Sequence, residues 1–100
     1  MTKINYNVTE NNFDIEVRGH AGYAAMGNDI VCAAISVLIQ TLVMHMENVT
    51  EEWVAFIENG YAHVQGKGEK AVTSFETILT GLIAIENQYP QHIMIDRGAL

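Results

Sequence analysis

The cysteine of this chain lies where its thiol could act as a nucleophile. Cys32 follows Asp29 by three residues, and from Ile30 the sequence becomes a long apolar run without glycine or proline. Asp29 is a typical helix N-cap residue, so Cys32 is predicted in the first turn of a helix. A helix N-terminus stabilises a thiolate, and its backbone N–H groups can receive a developing oxyanion. This pattern indicates thiol-based acyl transfer, with a buried structural cysteine as the alternative.

A histidine that could transfer protons to and from this thiol precedes it in a glycine-rich segment. His20 directly follows Gly19, and Gly22 and Gly27 come between it and Cys32. Glycine permits positive φ angles and removes side-chain bulk, which predicts a flexible loop with these three residues as hinges. Such a loop can bring the imidazole to the thiol as a base or as an ion-pair partner.

Two further residues are candidates for supporting roles. The Asp29 carboxylate either only caps the helix or also orients His20. Its negative charge would disfavour a thiolate at Cys32, and this effect is weaker if the carboxylate is engaged in capping hydrogen bonds or in holding His20. Ser36 comes four residues after Cys32, one helical turn further on the same side. Its hydroxyl either supports the site or hydrogen-bonds within the helix.

The remaining histidines do not suggest a second site. His45 lies late in the predicted helix and is interpreted as a helix-end or interface residue, whereas His63 and His92 are interpreted as surface residues of strands. None of the three is spaced with Cys32 in the way that zinc ligands are. The sequence therefore predicts no metal and no cofactor.

Hydrophobic periodicity predicts the elements that position these residues. Alternating residues and strand formers indicate strands, an Asn59-Gly60 pair indicates a hairpin turn, and i, i+3, i+4 spacing indicates helices. The predicted elements are strands at 3–8 and 13–18, a helix at 30–48, strands at 53–57 and 61–65, a helix at 70–88 and a strand at 92–96. This order, β-β-α-β-β-α-β, favours one two-layer α+β domain over residues 1–100, with two helices on one face of a mixed or antiparallel sheet. Because the first helix is apolar nearly all round, it is predicted to be buried on most sides, against the sheet on one face and against a second helix or a second subunit on another.

Composition limits the class of partner. The chain has 100 residues, a net charge of −7 and five lysines and arginines, which argues against nucleic-acid binding. An acidic surface would attract a basic partner or simply keep the protein soluble. A hydrophobic content of 49% in so short a chain suggests an oligomer. A single cysteine and the absence of a secretion signal or a convincing membrane span predict a cytoplasmic protein without membrane contact.

The segment that begins with Gly19-His20-Ala21 and continues through Gly27 to Ser36 closely resembles the signature of the ribosomal-processing cysteine protease (Prp) family. The matching pattern is G-H-A, then G-x-D-I-V-C-A-x-x-S, and the order of elements resembles the family over essentially the whole chain. The resemblance implies that Cys32 is the nucleophile and His20 the proton-transferring residue. It also implies that Gly19 lets the loop move to admit a peptide, and that Asp29 and Ser36 have supporting roles.

The same resemblance implies a function. Members of the family are cytoplasmic homodimers that remove a short N-terminal extension from a large-subunit ribosomal protein, cutting after an aromatic residue. The expected function is therefore that of a cysteine endopeptidase with a protein substrate. Two alternatives stay open: a bacteriophage-type member that processes a virion structural protein, and a non-catalytic dimeric module that binds a peptide.

Overall fold

A computed structural model describes residues 1–97 of the chain. Its seven elements follow the predicted order β-β-α-β-β-α-β, and each lies within a few residues of its predicted bounds. They are β1 (Thr2–Val8), β2 (Asn12–Arg18), α1 (Ile30–Val49), β3 (Trp53–Glu58), β4 (Tyr61–Lys67), α2 (Glu69–Gln88) and β5 (Ile93–Asp96). Positions 98–100 lie outside the described residues.

The five strands form one mixed sheet in the order β3-β4-β2-β1-β5. Antiparallel pairing joins β1 to β2, β2 to β4 and β3 to β4, whereas β5 runs parallel to β1. The predicted Asn59-Gly60 turn is confirmed, because Glu58 and Tyr61 pair across it and Gly60 has a φ of +77°. The two-layer α+β prediction is confirmed as well, with a mixed sheet.

The core lies between the sheet and the helices. The side chain of Phe75 on α2 is fully buried and stacks on Phe13 of β2 with ring centroids 4.8 Å apart. Beside it, Gly66 of β4 has no room for a side chain, since an added Cβ would lie 2.6 Å from the Phe13 ring. This close packing fixes the sheet against α2, and α1 in turn packs chiefly on α2.

The prediction that α1 is buried on most sides is not met within one chain, which leaves one side of the helix uncovered. Five of its residues are buried, but a second side faces solvent, with Val37 63% and Met44 73% exposed. Within residues 1–97, α1 is also the one helix long and apolar enough to cross a membrane by length and composition. The buried side of α1 belongs to the core of this domain. An apolar residue type therefore did not imply burial here, because α2 and the sheet cover only part of the helix.

Candidate active site

The thiol of Cys32 lies at the N-terminus of α1, in the first turn, as predicted. Asp29 is the N-cap residue, with extended backbone angles of φ −86° and ψ 99°. Its Oδ1 accepts a hydrogen bond of 2.9 Å from the Cys32 N–H. Capping satisfies one of the N–H groups that a helix leaves without a partner and fixes the backbone that carries the thiol.

The same carboxylate also holds the loop that precedes the helix. Asp29 Oδ2 accepts hydrogen bonds from the backbone N–H groups of Tyr23 at 3.0 Å and Ala24 at 3.4 Å. Burial acts to raise the pKa of Asp29, but the N–H donors of Cys32, Ala24 and Tyr23 together outweigh it and hold the pKa below the ordinary value of 3.8. The Asp29 carboxylate is therefore ionised near neutral pH, and its hydrogen bonds connect the loop to the helix. The Asp29 carboxylate is hydrogen-bonded to backbone N–H groups and to the Cys32 side chain, and these bonds do not support its predicted alternative role of orienting His20.

His20 is positioned by the end of β2 and by the β3–β4 turn. The Gly19 N–H donates a hydrogen bond of 2.8 Å to the carbonyl oxygen of Gly60. A Cβ added to Gly60 would lie 3.0 Å from Nε2 of His20, so the imidazole packs directly against this turn. Gly19 itself has a φ of +88°, and a Cβ there would lie 2.8 Å from the carbonyl oxygen of Met1. Two glycines are thus required for the imidazole to reach its place.

Ala21 connects the histidine to the thiol. Its backbone N–H donates a hydrogen bond of 3.2 Å to Sγ of Cys32, although the two residues are eleven positions apart. Its side chain is only 1% exposed and belongs to the core. The residue after His20 is therefore anchored on the thiol, and the loop begins from a fixed point. Of the predicted hinges further along, Gly22 and Gly27 have φ angles of +71° and +89°, as the loop prediction required.

His20 and Cys32 line one cleft of about 280 Å³. The cleft lies between the first turns of α1 and the tip of the β3–β4 hairpin, and Ile57 and Tyr61 form part of its hairpin wall. Ser36 lines it too, and its Oγ accepts a hydrogen bond of 3.0 Å from the Gln40 side chain. The structure therefore brings the predicted nucleophile, proton carrier and serine to one surface, with the serine bonded within its own helix.

Charged groups lie behind the hairpin wall. The Tyr61 hydroxyl donates a hydrogen bond of 2.8 Å to Glu16, which also binds Arg18. The hydrogen bond to that carboxylate raises the pKa of Tyr61. The bonds from Arg18 and then Tyr61 lower the pKa of Glu16 in turn. Tyr61 is thus a neutral, fixed wall residue at physiological pH.

The two histidines that were predicted on strand surfaces differ from each other. His63 lies on the open face of the sheet with its side chain 35% exposed, in keeping with the prediction, whereas His92 is half-buried beside the loop, and for His92 the prediction is wrong. The imidazole of His92 is bonded to the carbonyl oxygen of Ala21 at 3.0 Å, and His63 pairs with Asp14 on the neighbouring strand. No local pattern could have placed His92 beside the loop, because 71 positions separate it from Ala21.

The arrangement suits nucleophilic attack on an extended substrate. A thiol at a helix N-terminus, an imidazole on the same cleft and an N–H aimed at the sulfur are the parts that acyl transfer requires. Within residues 1–97, no three histidine, cysteine or carboxylate side chains lie close enough together to hold a metal ion.

Comparison with known proteins points to the same chemistry. A family model described as "Cysteine protease Prp" matches residues 1–94. A relative from Mycoplasma genitalium, the "Ribosomal processing cysteine protease Prp", is 36% identical, and the match covers 93% of this chain and 94% of the relative.

Solved structures are similar over nearly the full length. The ribosomal processing protease Prp from Staphylococcus aureus, in complex with a covalently linked product peptide, superposes with a TM-score of 0.86 at 25% identity. The same enzyme with a substrate peptide gives a TM-score of 0.81 at 24% identity. Both matches cover 96% of this chain and 98% of the other.

Proposed function

This chain belongs to the cysteine protease Prp family and is a cysteine protease, and from that premise we propose that it removes a short N-terminal extension from a protein of the large ribosomal subunit. One observation carries the site assignment: His20 and Cys32 line a single cleft, and the Ala21 N–H points at the thiol sulfur. The substrate class is supported by the relative from Mycoplasma genitalium, whose name describes ribosomal processing. Membership in a protease family also speaks against the non-catalytic binding module.

The proposed reaction begins when His20 accepts the proton of the Cys32 thiol, which leaves Cys32 as a thiolate and His20 protonated. The thiolate sulfur attacks the scissile carbonyl carbon, an S–C bond forms, and the carbonyl oxygen becomes an oxyanion. His20 then donates a proton to the leaving amine as the C–N bond breaks. Water adds to the thioester that remains, His20 accepts its proton, and the S–C bond breaks to release the new carboxylate and the thiolate.

The hydrogen bonds already formed at the site indicate which backbone N–H groups can stabilise the oxyanion. The sequence predicted that N–H groups of the first helical turn and of the loop stabilise the oxyanion. In the helix, however, the Cys32 N–H is bonded to the Asp29 side chain, and the Ala33 N–H is bonded to the carbonyl oxygen of Asp29. The Ala21 N–H lies 3.2 Å from the sulfur, and the oxyanion forms on the carbon bonded to that sulfur. Ala21 is therefore the loop donor best placed to stabilise it.

The acidic character of the chain favours a basic substrate. The net charge is −7, and Glu58 lies in the hairpin wall of the cleft. Ribosomal proteins are basic because they bind RNA, so electrostatic attraction would speed their encounter with this surface, and more so at low salt.

The test is cleavage of an N-terminally extended large-subunit ribosomal protein, with the new N-terminus identified by mass spectrometry. We expect one cut near the extension, and we expect Cys32→Ala and His20→Ala to abolish it while circular dichroism stays native. Gln40→Ala serves as a control because it changes the same cleft without touching the proposed nucleophile or proton carrier. Full activity in Cys32→Ala would refute the mechanism. Cleavage of a virion structural protein but not of the ribosomal protein would refute the substrate and support the bacteriophage-type alternative.

The protein is proposed to be a homodimer in the cytoplasm that binds neither nucleic acid nor membranes directly. The exposed apolar side of α1, with Val37 and Met44, supports a self-association surface, because monomers rarely leave such stretches uncovered. Val37→Glu should then shift the mass measured by analytical ultracentrifugation from dimer to monomer. Met94→Glu is the matched control, since Met94 is 47% exposed on β5 at the far edge of the sheet. A dimer that survives Val37→Glu would contradict this surface.

A further inference from the structure

A histidine outside the cleft is bonded to the loop that carries the proposed proton carrier. His92 lies between α2 and β5, and its Nδ1 is 3.0 Å from the carbonyl oxygen of Ala21. A carbonyl oxygen only accepts hydrogen bonds, so Nδ1 must be the protonated ring nitrogen. The contact therefore fixes the histidine as a donor to the loop.

The backbone of His92 is itself held from both sides. Its N–H donates to the carbonyl oxygen of Tyr89 at 2.9 Å, and its carbonyl oxygen accepts from the Thr2 N–H at 3.0 Å. These bonds tie it to the end of α2 and to the start of β1. The backbone of His92 is therefore held in place, so its side chain can hold the loop at Ala21.

Aromatic contacts strengthen the same attachment. The ring of Tyr23, in the loop, packs edge-on against both Tyr89 and His92, with centroid distances of 5.5 and 5.4 Å. Edge-to-face packing at these distances is favourable. The loop is therefore attached to the C-terminal part of the domain by one hydrogen bond and one aromatic cluster.

Ala21 connects the attached part of the loop to the Cys32 thiol. Its carbonyl oxygen accepts from His92, its N–H donates to Cys32 Sγ, and its side chain is buried. The residue is thus fixed on three sides, directly after His20. A loss of the His92 bond would let the peptide planes around Ala21 rotate and would misalign the N–H that faces the sulfur.

We propose that His92 is a positioning residue of this protease, which holds Ala21 so that the loop presents its N–H to Cys32 and keeps His20 at the cleft. The inference rests on the proposed roles of His20 and Cys32. His92 does not touch the reacting atoms, so it acts through the loop on the rate of the chemical step.

The experiment separates the hydrogen bond from the packing. His92→Phe keeps an aromatic ring against Tyr23 but removes the donor, whereas His92→Asn places an amide N–H near the position of Nδ1. His63→Phe is the matched control, because His63 is also half-buried and hydrogen-bonded but pairs with Asp14 on the open face of the sheet. Each variant is assayed for kcat and KM with the extended ribosomal protein and for the rate at which iodoacetamide alkylates Cys32.

We expect kcat to fall about fivefold in His92→Phe, the usual effect of one lost hydrogen bond, with KM within about twofold of the wild type. The alkylation rate should change in the same variant, and His92→Asn should recover most of both values. His63→Phe should leave both unchanged. If His92→Phe does not fold, His92→Asp, which has the shape of asparagine but no N–H donor, replaces it in the comparison.

Wild-type kcat in His92→Phe, or no recovery in His92→Asn, would overturn the inference. Equal losses in His92→Phe and His63→Phe would also overturn it, since they would indicate general destabilisation. Alkylation of Cys32 needs no substrate, so it still tests His92 if the ribosomal protein proves not to be cleaved. Failure of the proposed function is recognised separately, by intact substrate with the wild-type enzyme.

Discussion

Replacement of Asp29 by alanine should destabilise the domain through two elements at once. The change removes the N-cap bond to the Cys32 N–H, which is worth about 1 kcal/mol. It also removes the bonds from Tyr23 and Ala24, and since these lie in an exposed loop they add about 1 kcal/mol together. The expected loss in the free energy of unfolding is therefore about 2 kcal/mol, or about 10 °C in Tm for a domain of this size.

The dependence of this loss on pH follows from the pKa of Asp29. Burial opposes ionisation, but the N–H donors outweigh it and lower the pKa in the folded state below 3.8. A lowered folded-state pKa means that the stabilisation is fully present above the unfolded value near 3.8 and is lost as the pH falls through the folded value. The difference between wild type and Asp29→Ala should therefore be constant from about pH 5 to 8 and shrink below about pH 4.

Thermal unfolding followed by circular dichroism, at one fixed protein concentration, measures both effects. Asp29→Asn should lose about half as much stability, because its oxygen can still accept from Cys32 while its amide nitrogen cannot accept from the loop. Asn28→Ala is the control, since Asn28 is an exposed neighbour that lies outside the cap. A loss in Asn28→Ala as large as in Asp29→Ala would refute the reasoning. So would a difference between wild type and Asp29→Ala that is the same at pH 3 and pH 7.

Four further substitutions test the site and the core, and one of them, Gly68→Ala, is a control for Gly60→Ala. Gly60→Ala should lower kcat about tenfold, because the added Cβ would displace the His20 ring by a few tenths of an ångström. Gly68→Ala, which also has a positive φ but lies at the start of α2, should cost about 1 kcal/mol of stability and little activity. Ser36→Ala should leave kcat/KM within about threefold, because the Ser36 hydroxyl is hydrogen-bonded to Gln40 of the same helix, and a loss of about 100-fold would show a direct role. Phe75→Ala should cost about 3–5 kcal/mol in urea unfolding and show whether the Phe13 stack supports the fold.

The features that depend on neighbours a few residues apart follow from residue type and spacing. The cap of Asp29 on Cys32 spans three positions, and the Asn59-Gly60 turn spans two, so both could be predicted from residue type and spacing. The same holds for the bounds of the helices and strands, since periodicity of 2 or 3.6 residues is a local property. The assignment of His20 and Cys32 to one site came from the family resemblance and from the glycines between them.

The contacts between residues that are distant in the sequence depend on the order of the strands in the sheet. His20 packs against Gly60, forty positions away, because β2 and β4 are neighbours in the sheet. His92 meets Ala21 because β5 joins the sheet beside β1, which brings the C-terminal part of the domain to the loop. A strand order is not written in any one segment, so His92 could be taken for a surface residue.

The exposed side of α1 was decided in the same way. A helix with apolar residues all round does not state which side will be covered, because that depends on where α2 and the sheet lie. The packing leaves Val37 and Met44 in solvent and places Cys32 where the covered and exposed sides meet at the cleft. Local spacing thus specified the thiol and its cap, while the order of the strands and the packing of the helices specified what surrounds them.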